Sequence, residues 1–139
     1  MFTQQDAEAY LEKIRKNRPI RIIDKLAENE KGIWCVLVFI DEQEGEVYAK
    51  EIADEMKISR ARAGVLVDKL ANRGLLEKYP SKVDNRITAL KITKEGKLVL
   101  NDIKDKFAKK LIEIVDEIGE DDFKKFFEIS KKIENVLRK

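Results

Sequence analysis

Hydrophobic positions recur mostly at helical spacing along the chain, and this spacing predicts a mainly α-helical protein. A polar helix is predicted over residues 4–16, and a second helical run begins at Pro19 and continues over residues 19–27. The apolar run over residues 33–40 fits either a buried strand or a buried helix. Its neighbours favour a helix that ends near Glu42.

Two short helices and a hairpin are predicted in the middle of the chain. Apolar residues within 47–56 fall on one helical face, and Ser59 is a good N-cap for a following helix that ends at Gly74. Residues 75–79 and 87–92 are predicted to be paired strands. Two short helices joined by a tight turn and followed by a two-stranded basic loop are typical of a winged helix-turn-helix.

Two more helices are predicted towards the end of the chain. Thr93 is a good cap for a long helix over residues 94–118, Gly119 ends it, and a last helix begins near Asp121. The long helix would measure about 37 Å, and both helices keep apolar positions along their length. A second copy of the chain is the simplest cover for that surface, and a bundle closed within one chain is the alternative.

Charge is distributed unevenly, although the formal net charge is only +2. Residues 57–94 hold ten basic and three acidic residues, whereas residues 41–56 hold seven acidic residues and one lysine. A local basic surface attracts polyanions, so the first segment favours a nucleic-acid partner. A chain with 40% charged residues also forms such clusters by chance, which is the alternative.

These patterns together predict a mainly α (α+β) fold, a winged helix-turn-helix with N- and C-terminal dimerisation helices. Residues 31–93 are the expected DNA-binding domain. Residues 1–30 and 94–139 are the expected dimerisation regions.

The composition argues against an enzyme, a metal site and a cofactor. The chain has no histidine, which removes Ser-His-Asp and Cys-His catalysis and histidine metal sites. Its one cysteine, Cys35, lies in an apolar run where burial lowers reactivity, so a core role is expected rather than redox sensing. The longest apolar run has eight residues, against about 20 for a membrane span, and no secretory signal is expected. We therefore expect a soluble cytoplasmic protein.

The helix after Ser59 is the candidate recognition helix, the one that enters the major groove of DNA. One face is apolar and is expected to pack inward: Ala63, Leu66, Val67 and Leu70. Arginine can bond guanine or phosphate, and small apolar side chains can touch only thymine methyls. Gly64 costs about 1 kcal/mol relative to alanine inside a helix, so either close approach to DNA or close packing against a neighbouring helix explains it. The candidate DNA contacts here are Ser59, Arg60, Ala61, Arg62, Gly64, Val65 and Lys69.

The loop of the hairpin, over residues 81–86, supplies the remaining candidate contacts. An arginine at the end of a narrow hairpin can enter the minor groove, and an aspartate two residues earlier can hold its guanidinium in one rotamer. The alternative is an ordinary surface ion pair. The candidate contacts in this wing are Lys82, Asp84, Asn85 and Arg86.

Several short motifs follow one another in order: Glu51-Ile52-Ala53, Ile58-Ser59-Arg60, the run from Leu66 to Lys78, Asp84-Asn85-Arg86, and Leu90-Lys91-Ile92-Thr93-Lys94-Glu95-Gly96. Their order and spacing resemble the MarR family of bacterial and archaeal transcriptional regulators, over residues 33–97. The resemblance implies a homodimer on a near-palindromic operator in double-stranded DNA, with Arg86 in the minor groove and oriented by Asp84. It also implies a repressor released by a small aromatic or anionic effector.

The chain departs from the family pattern in two places. Gly64 and Val65 stand where many members carry polar or basic residues, and Tyr48 replaces the Ser or Thr that commonly caps the helix before the turn. The apolar surface of Ala61, Gly64 and Val65 supports an alternative function, a winged-helix module that binds protein rather than DNA. The basic residues of the recognition helix and wing argue against it.

Overall fold

The computed structural model describes residues 1–17 and 31–138. The fold is mainly helical with one antiparallel hairpin, as predicted. The predicted helical run over residues 19–27 lies outside the described residues. In chain order the elements are α1 (Gln4–Asn17), α2 (Lys31–Glu42), α3 (Ala49–Met56), α4 (Arg60–Asn72), β1 (Leu76–Pro80), β2 (Thr88–Ile92), α5 (Lys94–Ile118) and α6 (Glu120–Leu137).

The chain divides into two compact units. One is Gly32–Ile103, and the other combines Met1–Lys31 with Lys104–Lys139. The first unit contains α2, α3, α4, the hairpin and the first turns of α5. The apolar run over residues 33–40 is a helix, because α2 buries Trp34, Val36 and Leu37 at helical spacing. Cys35 is buried beside them, as predicted.

The hairpin has a simple register, from Leu76 opposite Ile92 to Pro80 opposite Thr88. Val47 adds one isolated antiparallel bridge to this sheet, because its carbonyl accepts the N–H of Leu90 at 2.8 Å. The helical pattern predicted over residues 47–56 therefore begins two residues later, at Ala49.

Two glycines and one threonine fix the ends of the hairpin. Gly74 ends the turn after α4 with a φ of +77°, a conformation that other residues adopt only at a cost. The Thr93 hydroxyl donates to the Gly74 carbonyl at 2.6 Å and accepts the N–H of Gly96 at 2.9 Å, which caps α5 as predicted. A Cβ on Gly96 would overlap the carbonyl oxygen of Leu75, so only glycine fits there.

The second unit is held by aromatic packing between α1 and α6. Phe2, Tyr10, Phe123 and Phe127 form a cluster in which contacting rings have centroids 4.9–5.8 Å apart and are tilted or edge-to-face. Phe123 is buried at its centre. None of the helices in the described part of the chain is long and apolar enough to span a bilayer.

Candidate nucleic-acid interface

The orientation of α4 follows from its buried face. Ala63, Val67 and Leu70 are buried, and Leu66 is half-buried. Ser59 begins the helix, and its Oγ accepts the backbone N–H of Arg62 at 3.1 Å, the N-cap that the sequence predicts. With that face turned inward, the opposite face of α4 is turned to solvent.

The candidate contact residues of α4 lie on this solvent face. Val65 is 70% exposed. A Cβ built on Gly64 meets no atom within 4 Å, so packing against another described element does not explain the glycine. The remaining explanation of Gly64, close approach to a partner, stays a prediction. The other candidates on this helix are also exposed: Ser59, Arg60, Ala61, Arg62 and Lys69.

The wing presents its arginine in a fixed orientation. Nε and Nη2 of Arg86 donate to the two carboxylate oxygens of Asp84 at 3.0 and 3.1 Å, and the backbone N–H of Arg86 also donates to Asp84 at 3.1 Å. These bonds from Arg86 hold the pKa of the Asp84 carboxyl below its ordinary value. The Arg86 side chain is nevertheless 90% exposed, so a fixed guanidinium faces solvent. Lys82 and Asn85 are exposed on either side.

Two residues that order the wing were not among the predicted site residues. Ser81 is completely buried, and its Oγ accepts the N–H groups of Val83 and Asp84 at 3.1 and 3.2 Å. Glu46 accepts the N–H of Lys82 at 2.8 Å from a position 36 residues earlier. Ser81 carries a local signal, since serine commonly bonds backbone N–H groups in turns. Glu46 carries none, because its contact is long-range.

Ion pairs within the segment 57–94 leave its excess positive charge on exposed side chains. Each acidic residue of the segment 57–94 has a basic partner: Asp68 bonds Lys78, Glu77 lies 3.6 Å from Lys91, and Asp84 bonds Arg86. Seven exposed basic residues of the same segment form no ion pair with any described residue: Lys57, Arg60, Arg62, Lys69, Arg73, Lys82 and Lys94. The excess of positive charge is thus carried by side chains that remain available to a polyanion.

The candidate residues form two groups, one along α4 and one in the wing. The ion pair between Asp68 and Lys78 joins α4 to β1, the strand that leads into the wing. A helix with an exposed basic start, followed by a hairpin with an exposed arginine, is the arrangement of a winged helix-turn-helix.

Comparison with known families agrees with this geometry. The sequence model described as MarR family matches residues 34–87, which include α3, α4 and the wing. Over residues 34–87 the sequence is therefore similar to the MarR family. No curated protein matches the chain.

Solved MarR-type structures show the same fold over most of the chain. The PcaV transcriptional regulator from Streptomyces coelicolor is 18% identical, with a TM-score of 0.69 over 94% of this chain and 96% of its own. MarR from E. coli in its apo form is 16% identical, with a TM-score of 0.68 over 90% and 94%. The repressor CouR bound to a 23-mer DNA duplex is 22% identical, with a TM-score of 0.67 over 85% and 87%. At these identities the likeness shows the fold alone.

Proposed function

We propose that this protein is a dimeric, sequence-specific regulator of transcription that binds double-stranded DNA and acts as a cytoplasmic repressor released by a small molecule. One observation carries the proposal: seven exposed basic side chains form no ion pair with the described residues, and Arg86 is exposed beside them. They lie on a winged helix whose sequence is similar to the MarR family. In this proposal α4 enters the major groove, and the wing follows the adjacent minor groove.

Each group of residues has a physical role in DNA binding. Arg60 and Arg62 at the start of α4 bond phosphates or guanine edges, whereas Ala61 and Val65 contact thymine methyls. Gly64 lets the helix backbone come close to the duplex. In the wing, Arg86 enters a narrow minor groove, where the negative potential is enhanced. Ser59, Lys69, Lys82, Asp84 and Asn85 complete the proposed interface.

Salt-dependent binding to a labelled duplex tests this function. If half of the eight basic groups of each protomer neutralise phosphates, the slope of log affinity against log salt concentration is about −7 for a dimer. Fluorescence anisotropy on a mixed-sequence duplex measures that slope. Absence of binding at low salt would overturn the proposal and favour the protein-binding alternative, with Ala61, Gly64 and Val65 as its surface.

The proposed dimer is supported by an exposed apolar row on α6. Ile129, Ile133, Val136 and Leu137 recur at helical spacing and are all exposed in the single chain. Exposed large apolar residues in such a row are typical of a protein interface, and two-fold pairing is the commonest assembly. Light scattering at micromolar concentration should give twice the mass of the chain, and Ile133→Glu should shift it towards one chain. A wild-type monomer would contradict the dimer.

The proposed effector is supported by a groove of about 570 Å³ between α1 and α6. The groove is lined by two aromatic rings, three lysines and two glutamates, so its net positive lining suits an aromatic anion. Its volume is typical of a small-molecule site. Residues that line it include Tyr10, Lys13, Lys124, Phe127 and Lys131. Titration with benzoate, followed by calorimetry and by release of a bound duplex, tests the idea; Lys124→Ala should weaken benzoate binding. If benzoate releases the duplex from Lys124→Ala as readily as from the wild-type chain, the effector does not bind in this groove.

A further inference from the structure

We propose that Glu46, acting through Ser81, is a positioning residue that fixes the wing turn and thereby the orientation of Arg86. The inference rests on the proposed DNA-binding function, and it assigns a role to a residue that lies outside α4 and the wing. A chain of hydrogen bonds leads from the segment before α3 to the guanidinium at the wing tip, and its steps can be followed one by one.

The first step is the anchoring of Glu46 beside the hairpin. Its neighbour Val47 is buried and bridges β2, since the Val47 carbonyl accepts the N–H of Leu90 at 2.8 Å. The Tyr48 hydroxyl donates to Oε2 of Glu46 at 3.2 Å. Tyr48, which stands where a capping Ser or Thr is common, makes no side-chain cap bond to α3 and instead supports this carboxylate.

The second step joins Glu46 to the turn. Oε1 of Glu46 accepts the backbone N–H of Lys82 at 2.8 Å. Ser81 is fully buried, and its Oγ already accepts two backbone N–H groups. A hydroxyl has one proton and two acceptor positions, so the Ser81 proton is left for the carboxylate of Glu46. The bond from Ser81 is the main cause of a lowered pKa at Glu46, consistent with an ionised acceptor.

The third step carries this order to the wing tip. The two N–H groups that Ser81 accepts belong to Val83 and Asp84, at 3.1 and 3.2 Å. The Asp84 carbonyl then accepts the N–H of Ile87 at 2.9 Å, and the Ile87 carbonyl accepts the N–H of Ser81 at 2.8 Å. The backbone of Asp84 is therefore held by bonds that do not involve Arg86. The geometry of the turn thus sets the direction in which the guanidinium points.

Because Glu46 is negatively charged, the direction in which its removal changes DNA affinity tests the inference. A carboxylate close to DNA repels phosphates, so simple removal of an acidic residue should leave DNA affinity unchanged or raise it. A positioning role predicts instead that loss of Glu46 lowers DNA affinity, because the wing turn is no longer held in one conformation. Glu44 is a matched control, because it is an exposed glutamate of the same connecting segment and forms no ion pair or hydrogen bond with the described residues.

The experiment measures the affinity of the full chain for two duplexes of about 40 base pairs, four helical turns, one with A-tracts and one G·C-rich. We expect Glu46→Ala to lower affinity for the A-tract duplex about 3- to 10-fold and Glu44→Ala to leave it equal or higher. Ser81→Ala should act like Glu46→Ala. In an Arg86→Ala background, Glu46→Ala should cause a much smaller further loss, because the main group whose orientation the turn fixes is gone.

Amide hydrogen exchange without DNA gives an independent readout. Exchange at Lys82, Val83 and Asp84 should become faster in Glu46→Ala and stay unchanged in Glu44→Ala, while the melting temperatures show that both variants fold. Equal effects of the two glutamate variants, or an undiminished loss from Glu46→Ala in the Arg86→Ala background, would overturn the inference. If the wild-type chain binds neither duplex, the proposed function itself fails. If the wild-type chain binds DNA but Glu46→Ala leaves the exchange rates of the wing unchanged, only the role of Glu46 is refuted.

Discussion

The wing and the start of α4 both expose arginines, but they hold them differently. The guanidinium of Arg86 in the wing donates two hydrogen bonds to Asp84, and Ser81 fixes the turn around it. Arg60 and Arg62 form no ion pair with any described side chain. Side chains ordered on folding lose less conformational entropy on binding than free ones. The wing is therefore suited to reading groove shape, and the start of α4 to supplying adjustable positive charge.

Arg86→Ala should have the largest effect on this comparison. Loss of the fixed guanidinium should lower affinity for an A-tract duplex about tenfold, because a narrow minor groove favours an inserted arginine. Affinity for a G·C-rich duplex should fall much less, as measured by fluorescence anisotropy. Arg86→Lys should restore little, since lysine cannot form the two parallel bonds to Asp84. Equal losses on both duplexes would mean that Arg86 acts only as a charge.

Arg62→Ala should have a smaller and more uniform effect. A free cation that neutralises a phosphate contributes equally on every sequence, so affinity should fall several-fold on both duplexes. The slope of log affinity against log salt concentration should also become less steep, by about one for each phosphate that is no longer neutralised. Lys109→Ala on α5 is a control outside the proposed interface and should leave the slope unchanged. A sequence-dependent loss in Arg62→Ala would instead indicate that this arginine bonds a base.

Gly64→Ala separates stability from binding on the α4 side. The new methyl meets open space, so the free energy of unfolding should rise by about 0.5–1 kcal/mol through helix propensity. DNA affinity should fall a few-fold if the helix backbone approaches the duplex closely. Thermal melting and anisotropy measure the two effects. Gly74→Ala is the contrasting control, since its φ of +77° makes alanine destabilising. Unchanged affinity in Gly64→Ala would remove the close approach.

The smallest expected effect concerns pH. Hydrogen bonds lower the pKa values of Glu46 and Asp84 in the folded chain, so their stabilisation of the wing is present above their unfolded pKa values. That stabilisation is lost only as the pH falls through the lower, folded values, and the chain contains no histidine. DNA affinity at fixed ionic strength should vary less than about twofold between pH 5.5 and 7.5. A clear transition in that range would contradict the ionised state of this network.

The helices, the strands and the cap residues were largely predictable from the sequence. Ser59, Gly74 and Thr93 act over three or four residues or at a single backbone position, so their roles follow from local chemistry. The pairing of Asp84 with Arg86 was predictable for the same reason, since the two residues are neighbours within one turn. Segment boundaries differ by one residue: β1 runs from Leu76 to Pro80 rather than over residues 75–79, and β2 begins at Thr88 rather than at residue 87.

The missed features join residues that are far apart in the chain. Val47 pairs with Leu90 rather than beginning α3, because the edge of the hairpin offers its backbone a partner. Tyr48 is the N-cap residue of α3, but its side chain forms no cap bond and its hydroxyl donates to Glu46 instead. The periodicity of residues 47–56 and their cap residues say nothing about where β2 lies. The local pattern alone therefore favoured a helix from Val47.

By itself, the sequence determined the order of the helices, the hairpin, the caps and the concentration of basic residues over residues 57–94, because these depend on local propensity and composition. Only the tertiary structure decided which charges remain available. It paired Asp68 with Lys78 and Glu77 with Lys91, and it left open space around Gly64. It also placed Glu46 at the base of the wing, since a contact across 36 residues forms only when the chain has folded.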